Sequence, residues 1–563
     1  MEDPILRSYL REFTEMYKLS NEKESDIFEF FSAYCIIHRD FSEHTDLEDV
    51  VVAGSHDTGI DSLAIFLNDI HVTNDSQVDE IANRHRIDVD FCFVQSKTSR
   101  KLKASEVGSF IQGVKEFFSD NYMKSNEEIK YKSNLARHIF SLSVKFRGKP
   151  RLHMYYCYAG NFRDDENLRA RVNAGKDELK KLRLFSEVCF EFVDSDRLQK
   201  RYQEVNLRVE KEVSMNEFAS LPQIPGIRQA YLGLMPCIEI VNLLSNSDGK
   251  LHKAIFNENV RDFLSKNPVN DEINRTISSL SRRSLLPALN NGITIVARNV
   301  NLVGKKFTLA DYQIVNGCQT SNIIFENRNN NLDGAVVPVK IIEVEDKDII
   351  NEIVRATNRQ TEVKDEAFVV LGDFHKKLES FFVSVDVPEN KKVVYERRKR
   401  QYRDTIYKSK NIVTLTNLTN AVVSCLFENP VDANDYYGVL LIKYDEKIFK
   451  DGHSMWPYLL SAKILKEIEN LCVGKSRRNV WKFRFILAAL VRKEFGVLPP
   501  LGNEREQAKY AQNALTIIND EQKFPALVLE AERKLARAIR AQSHHFDPRN
   551  AHQNRSFVSE LLL

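Results

Sequence analysis

The chain has 563 residues, 43% hydrophobic and 28% charged, with a formal net charge of +2. This length exceeds one hydrophobic core and implies about two to four globular domains, while the near-balanced charge excludes a polybasic chain and confines any nucleic-acid surface to a local patch. Eight singly spaced cysteines without a CxxC pair argue against a disulfide framework or a structural zinc site, and the lack of a signal peptide or of about 18 to 20 consecutive apolar residues points to the cytoplasm.

Residues 1 to about 50 read as helices, with Ser25 as the cap of an apolar stretch running to Ile37. Glu29 stands among Phe28, Phe30 and Phe31, either as a solvent-facing helix position or as an acid aimed at a site further along. Two strands follow. GIDSLAIFL (59–67) places Asp61 at the opening of an apolar run, and RIDVDFCFVQSK (86–97) delivers Gln95, Ser96 and Lys97 at the end of a second. A helix over 103–122 presents Phe110, Val114, Phe117 and Phe118 on one face. A helix at 126–143, a strand at 152–160, a charged helix at 166–184 and a strand–helix pair at 188–202 complete an α/β layout around one mixed sheet. This first domain, 1–205, ends there.

From Val213 to about residue 370, LMPCIEIVNLL, GITIVARNVNLV, YQIVNG and VVPVKIIEVE read as strands alternating with helices. Two Asn-Gly turns interrupt them, at Asn290-Asn291-Gly292 and at Asn316-Gly317-Cys318-Gln319-Thr320. Asn-Gly supplies the positive φ that tight turns need, and a lone example is only a turn. Here the second feeds a helix-like stretch, whose free N–H groups suit an anion or polar ligand. Asn291, Gly292, Asn316, Gly317, Gln319 and Thr320 are the candidate ligand-binding residues.

The domain spanning 206–370 gives way to a mainly helical part, 371–563. Its densest basic stretch is 391–410, with Tyr395, Tyr402 and Tyr407 interleaved. Such a run is either a solvated helix face or a phosphate-contacting stripe through Arg397, Arg398, Arg400 and Arg403. A second basic cluster lies at 474–484. The tail, with His544, His545 and His552, reads as a mobile end.

Asp61, Gln95 and Lys97 have the inventory for phosphodiester hydrolysis. Mg²⁺ takes oxygen ligands and one or two carboxylates, filling the rest with water and substrate, and it polarises the phosphate and acidifies its bound water. Asp61 is the carboxylate, Gln95 a neutral oxygen, the Ser96 carbonyl a further oxygen and Glu29 a second acid. Lys97 shares the face of Gln95 and would orient the water or neutralise developing charge. A salt bridge between Asp61 and Lys97 at a sheet edge is the structural alternative.

GIDSLAIFLN followed by FVQSK resembles the PD-(D/E)xK nuclease superfamily, in the form where Gln holds the variable acid position. The resemblance implies that Asp61, Gln95 and Lys97 are the catalytic residues, with Glu29 matching a first-helix acid. It also implies Mg²⁺ or Mn²⁺ held by Asp61, Gln95 and Glu29. FNENVRDFL (256–264), ALNNGITIVA (288–297), YQIVNGCQTSNII (312–324), ATNRQTEVKDEAF (356–368) and YERRKRQY (395–402) are similar to the AIPR family, named for abortive-infection phage resistance. Together they imply a multidomain α/β and α+β protein. It would comprise an N-terminal restriction-endonuclease-like mixed sheet flanked by helices, a central α/β AIPR domain and a mainly helical C-terminal region.

The expected function is a metal-dependent endonuclease of an anti-phage system, cleaving DNA under control of the AIPR region. The alternatives are a ribonuclease, and a nucleic-acid- or nucleotide-binding sensor with a degenerate nuclease fold. The expected partners are DNA or RNA, a phage-derived or nucleotide trigger and a second copy of the chain in a homodimer, without a membrane. The chain has no GxxxxGK[ST] loop for nucleotide hydrolysis.

Overall fold

The computed structural model describes all residues except 1–2, 42–44, 53–58, 85, 120–126, 163–164, 207–209, 247, 253–254, 257–267, 280, 347–348, 351, 354–355, 357–372, 389–390, 398–400, 403–406, 408, 436, 475–477, 543–545 and 547. It divides into two compact units. One unites residues 1–33, 45–198 and 368–563, and the other takes 34–44 and 199–367. The helical third of the chain therefore shares a unit with the N-terminal sheet.

The first unit begins with α1 (Pro4–Tyr17) and the first part of α2 (Glu24–Asp40), whose residues from Tyr34 onward belong to the second unit. Because α2 starts at Glu24, Ser25 lies inside the helix instead of capping it. Strands β1 (Ser62–Leu67) and β2 (Ile70–His71), helix α3 (Asp75–Arg84) and strand β3 (Val89–Lys97) come next. Helices α4 (Ala104–Phe117) and α5 (Glu127–Ser141), β4 (Arg151–Tyr158), α6 (Glu166–Lys181) and β5 (Glu187–Val193) complete the series, and α7 (Ser195–Asn206) leads from the first unit into the residues of the second. The sheet order is β2-β1-β3-β4-β5, with β1 antiparallel to β3 and with β3, β4 and β5 mutually parallel.

β1 and all of β3 but Lys97 are buried residue by residue, as a sheet covered on both faces requires. This explains their unbroken apolar runs. On one face Leu63, Ile65, Phe91 and Phe93 meet Val107, Phe110, Val114 and Phe117 of α4 and Ile129 and Leu135 of α5.

The helical part of this unit packs around Trp456–Leu471, Arg484–Glu494, Leu415–Cys425 and Lys523–Arg540. Of the tail expected to be a mobile end, His544 and His545 lie outside the described residues, and the described remainder is packed. Helix Arg555–Leu562 buries Phe557, Val558, Leu561 and Leu562 in that core, and Arg555 pairs with the fully buried Asp432 at 2.6 Å. The apolar pair repeated after four residues is an amphipathic signal that the polar histidines obscure.

In the second unit, β6 (Glu210–Ser214), β7 (Glu217–Ser220), β8 (Gln229–Pro236), β9 (Ile293–Val303), β10 (Lys306–Asn316) and β11 (Val336–Glu343) form a sheet of order β6-β10-β9-β11-β8-β7. Helices α8 (Cys237–Leu244), α9 (Pro268–Ser278), α10 (Leu286–Leu289) and α11 (Cys318–Glu326) accompany it. The expected strand LMPCIEIVNLL divides at Pro236, and CIEIVNLL is helix α8. Cys237, Ile240, Leu243 and Leu244 are its buried residues, a spacing of three and four that overrides the β-branched content. Among the described residues no helix is long and apolar enough to cross a membrane.

Phe557→Ala removes a large side chain from the helical core and is expected to lower stability by about 3 kcal/mol, read as a drop in the denaturation midpoint.

Candidate active site

Asp61 precedes β1 and is held from both sides. Its N–H donates to Val94 O at 3.0 Å, and its carbonyl accepts from Val52 N at 2.8 Å. Asp61 is 4% exposed, and an ionised acid at that depth needs donors. Ser96 N donates to Oδ2 at 2.7 Å and Gln95 Nε2 at 2.5 Å. Gly59, at φ +76°, covers Gln95 closely: a Cβ there would lie 3.0 Å from Gln95 Oε1 and 3.3 Å from Phe110 Cα. Gln95 is itself 2% exposed.

Lys97 lies two residues along β3, on the face of Gln95 and at the partly exposed end of the strand. Among the described residues no hydrogen bond or ion pair holds its ammonium, so the Asp61–Lys97 salt bridge is not formed. Glu29 sits half-buried on α2 between buried Phe28 and Phe30, with Oε2 shut from solvent. The two hydrogen bonds onto Asp61 Oδ2 do not involve it.

The donor chemistry fits a hard divalent cation. The nitrogen and oxygen of the Gln95 amide exchange places by a half-turn of its last bond. Turned over, Oε1 joins Asp61 Oδ2 and the Ser96 carbonyl, which lies 3.4 Å from the amide nitrogen. Among the described residues no group of three or more His, Cys, Asp or Glu side chains is placed to hold a metal. The set therefore combines carboxylate with neutral oxygen, as Mg²⁺ accepts. A cavity of about 680 Å³ between α4 and α6 reaches Gly59 and is lined by Ser109, Gln112 and Arg171 among others. Arg171 lies across Gly108, where a Cβ would come 2.5 Å from its guanidinium.

The segment before Asp61 is anchored by residues that sequence reasoning missed. Lys132 of α5 is 9% exposed and donates to Asp49 O at 2.6 Å, Leu63 O at 2.7 Å and Val50 O at 3.4 Å. A lysine on the apolar face of a helix was the available signal. From the helical part of the same unit, Trp481 Nε1 donates to Asp49 Oδ1 at 3.0 Å, and Arg484 approaches Asp49 Oδ2 at 3.6 Å. Lys466 pairs with Glu469 at 3.2 Å. Asp46, half-buried beside them, is raised to about 6 by burial and by the negative charges of Glu469 and Asp49, against the opposing pull of Arg484 and Lys466.

In the second unit the two Asn-Gly turns meet at one end of the sheet. Asn290 Oδ1 accepts from Gly292 N at 2.8 Å, and Asn290 Nδ2 donates to Thr320 Oγ1 at 2.8 Å. Gly292 has φ +84°, and a Cβ on it would lie 2.7 Å from Pro338 O. Gly317, at φ +86°, starts α11, and a Cβ there would lie 2.5 Å from Gly292 O. Asn316 Oδ1 accepts from Gly317 N at 2.6 Å. Thr320 is buried, Asn316 and Gln319 are half-buried and Asn291 is exposed. The second turn thus joins a strand to a helix, and much of the polar chemistry of the pair closes one turn on the other.

Arg397 is 7% exposed and gives Nε to Glu379 Oε2 at 2.6 Å, so its guanidinium is engaged inside the fold and not offered to a phosphate. Tyr395 is fully buried, its hydroxyl 2.8 Å from His375 Nδ1. Arg398, Arg400 and Arg403 lie outside the described residues.

A family model described as AIPR protein matches one stretch of the chain, residues 256–476. It runs from the second unit into the first. Neither a curated protein nor a solved structure matches the chain.

With its folded-state value raised, Asp46 favours the folded protein most when protonated, so its contribution to stability falls as pH rises from about 4 through 6. Asp46→Asn is expected to raise Tm at pH 8 and to match the unsubstituted chain near pH 4. Gly317→Ala combines a positive φ with a backbone clash and is expected to cost about 2 kcal/mol or more, measured by thermal unfolding.

Proposed function

We propose that the first unit carries a metal-dependent nuclease site that hydrolyses phosphodiester bonds in DNA under control of the AIPR region. The protein would thereby serve abortive-infection defence against phage. The reading rests on the buried Asp61 carboxylate, met at the end of β3 by Gln95 and Ser96, with the ammonium of Lys97 on the same face.

In the reaction a water oxygen forms a new bond to phosphorus. The water gives up a proton, the bond to the leaving sugar oxygen breaks, and that oxygen takes up a proton, so that one water is consumed overall. Asp61, Gln95 Oε1 and the Ser96 carbonyl would hold a divalent cation, which when bound supplies polarisation of the phosphate and a more acidic water. Lys97 would orient the attacking water and neutralise charge that gathers on the phosphoryl oxygens. The cavity beside Gly59 offers a route for the strand, with Arg171 at its wall.

Control by the AIPR region is supported by Lys466 and Glu469, which lie within residues 256–476 and act on Asp46, and by the hold of the adjoining helices on residues 46–52. Trp481 and Arg484 grip Asp49, while the Val52 N–H and the Val50 carbonyl bracket Asp61 and Leu63. A trigger that moves these helices would move the backbone next to Asp61. A sensor without catalysis is the second reading. It is favoured by the Gln95 amide donating to Asp61, which engages an oxygen that a cation would need.

Plasmid DNA and RNA incubated with the protein, with and without Mg²⁺ or Mn²⁺, separate these readings. Metal-dependent DNA products are expected, reduced roughly 100-fold or more by Asp61→Asn or Lys97→Ala. Binding without products under all conditions supports the sensor, and products from RNA alone identify a ribonuclease.

A further inference from the structure

We infer that Glu106 is the second carboxylate of the Asp61 site, positioned by Tyr156 to hold the divalent cation that Gln95, as a neutral ligand, holds only weakly. The inference rests on the nuclease reading and names the acid that reading lacks.

The geometry comes from the parallel pairing of β3 with β4. Gln95 lies directly opposite Tyr156, and Lys97 opposite Tyr158, so the Tyr156 ring stands beside Gln95 on the face covered by α4. Its hydroxyl reaches Glu106 Oε2 at 3.2 Å. Tyr156 is 1% exposed, whereas the Glu106 side chain keeps 31% of its surface open to solvent. A carboxylate fixed by a buried hydroxyl yet open to water on its other side has the disposition of a cation-holding group.

The ordinary account of Glu106 is a first-turn acid on α4, favoured there by the helix dipole and paired with the exposed Lys103 at 2.9 Å. That account leaves Tyr156 unexplained. The buried phenol ties this helix-start acid to the strand residue opposite Gln95, and Lys97 is near enough for its charge to act on the carboxylate. The electrostatics agree with this placement. The Tyr156 phenol is pushed well above its usual range by burial, by the charge of Glu106 and, more weakly, by Asp61, and so it remains a donor. Glu106 is held below the usual carboxylate range by its Lys103 hydrogen bond, by Tyr156 and by the Lys103 and Lys97 charges. It is therefore anionic wherever the protein is folded near neutrality.

The charge balance gives the reason for a second acid. Asp61 alone sets one negative charge against a dication, while Asp61 and Glu106 together match it. Tyr156 would act as a positioning residue, without contact to the substrate.

Calorimetric titration of the full chain with Mn²⁺ alone tests the assignment, with DNA cleavage measured on the same preparations. Wild type should bind Mn²⁺, and Asp61→Asn should abolish binding. Glu106→Gln should weaken it about 10-fold or more. Tyr156→Phe should weaken it several-fold at unchanged fold content by circular dichroism, and Lys103→Ala should leave affinity equal or higher. A wild type that binds Mn²⁺ and cleaves DNA while Glu106→Gln binds Mn²⁺ equally well overturns this assignment and leaves the nuclease reading standing. A wild type that neither binds Mn²⁺ nor cleaves overturns both.

Discussion

The antiparallel register of β1 on β3 is the constraint on which the candidate site depends. Ser62 pairs with Val94, so Asp61 falls beside Gln95, and the Ser96 N–H points at its carboxylate. Burying an ionised acid without donors costs several kcal/mol, and here the strand end itself provides the donor. A slip of β3 by one residue would turn Phe91 and Phe93 away from α4 and carry Gln95 and Lys97 to the face opposite Asp61. The hydrophobic core and the polar site therefore enforce the same register.

The backbone before Asp61 belongs energetically to distant parts of the chain. Lys132 donates to a row of carbonyls at Asp49, Val50 and Leu63, where β1 receives the preceding segment at Val51 and Ser62. Trp481 and Arg484 hold the Asp49 side chain from the helical part. The stretch that matches the AIPR family model and the first unit overlap over residues 368–476, and Lys466 and Glu469 of that overlap stand in the charged cluster around Asp46. This cluster places partly desolvated acids next to the backbone that carries Asp61. In such a place a modest change in helix packing alters the electrostatic cost of the arrangement.

The two turns of the second unit illustrate steric demand. Gly317 and Gly292 both require positive φ, and each leaves no room for a Cβ against a neighbouring backbone oxygen. Asn290, Thr320 and Asn316 then satisfy the polar groups that the close approach exposes. The glycines were visible in the sequence as turn formers. Their contact with one another was not, because it depends on β9 and β10 pairing so that Thr294 meets Asn316.

Much of the local order was legible in the sequence. Fully apolar runs marked β1 and β3, helical spacing marked α4, and the positions of Asp61, Gln95 and Lys97 at strand ends followed from those patterns, since periodicity and turn chemistry act over a few residues. LMPCIEIVNLL misled because β-branched content and helical spacing competed in one short stretch, and the tail because polar histidines masked four buried positions. Tertiary structure alone decided which groups share an environment. It buried Arg397 against Glu379, joined Tyr156 to Glu106 across 50 residues and Trp481 to Asp49 across 432. The cost of removing a charge from water is set by the partners that surround it, and a linear pattern carries no measure of partners so far apart in the chain.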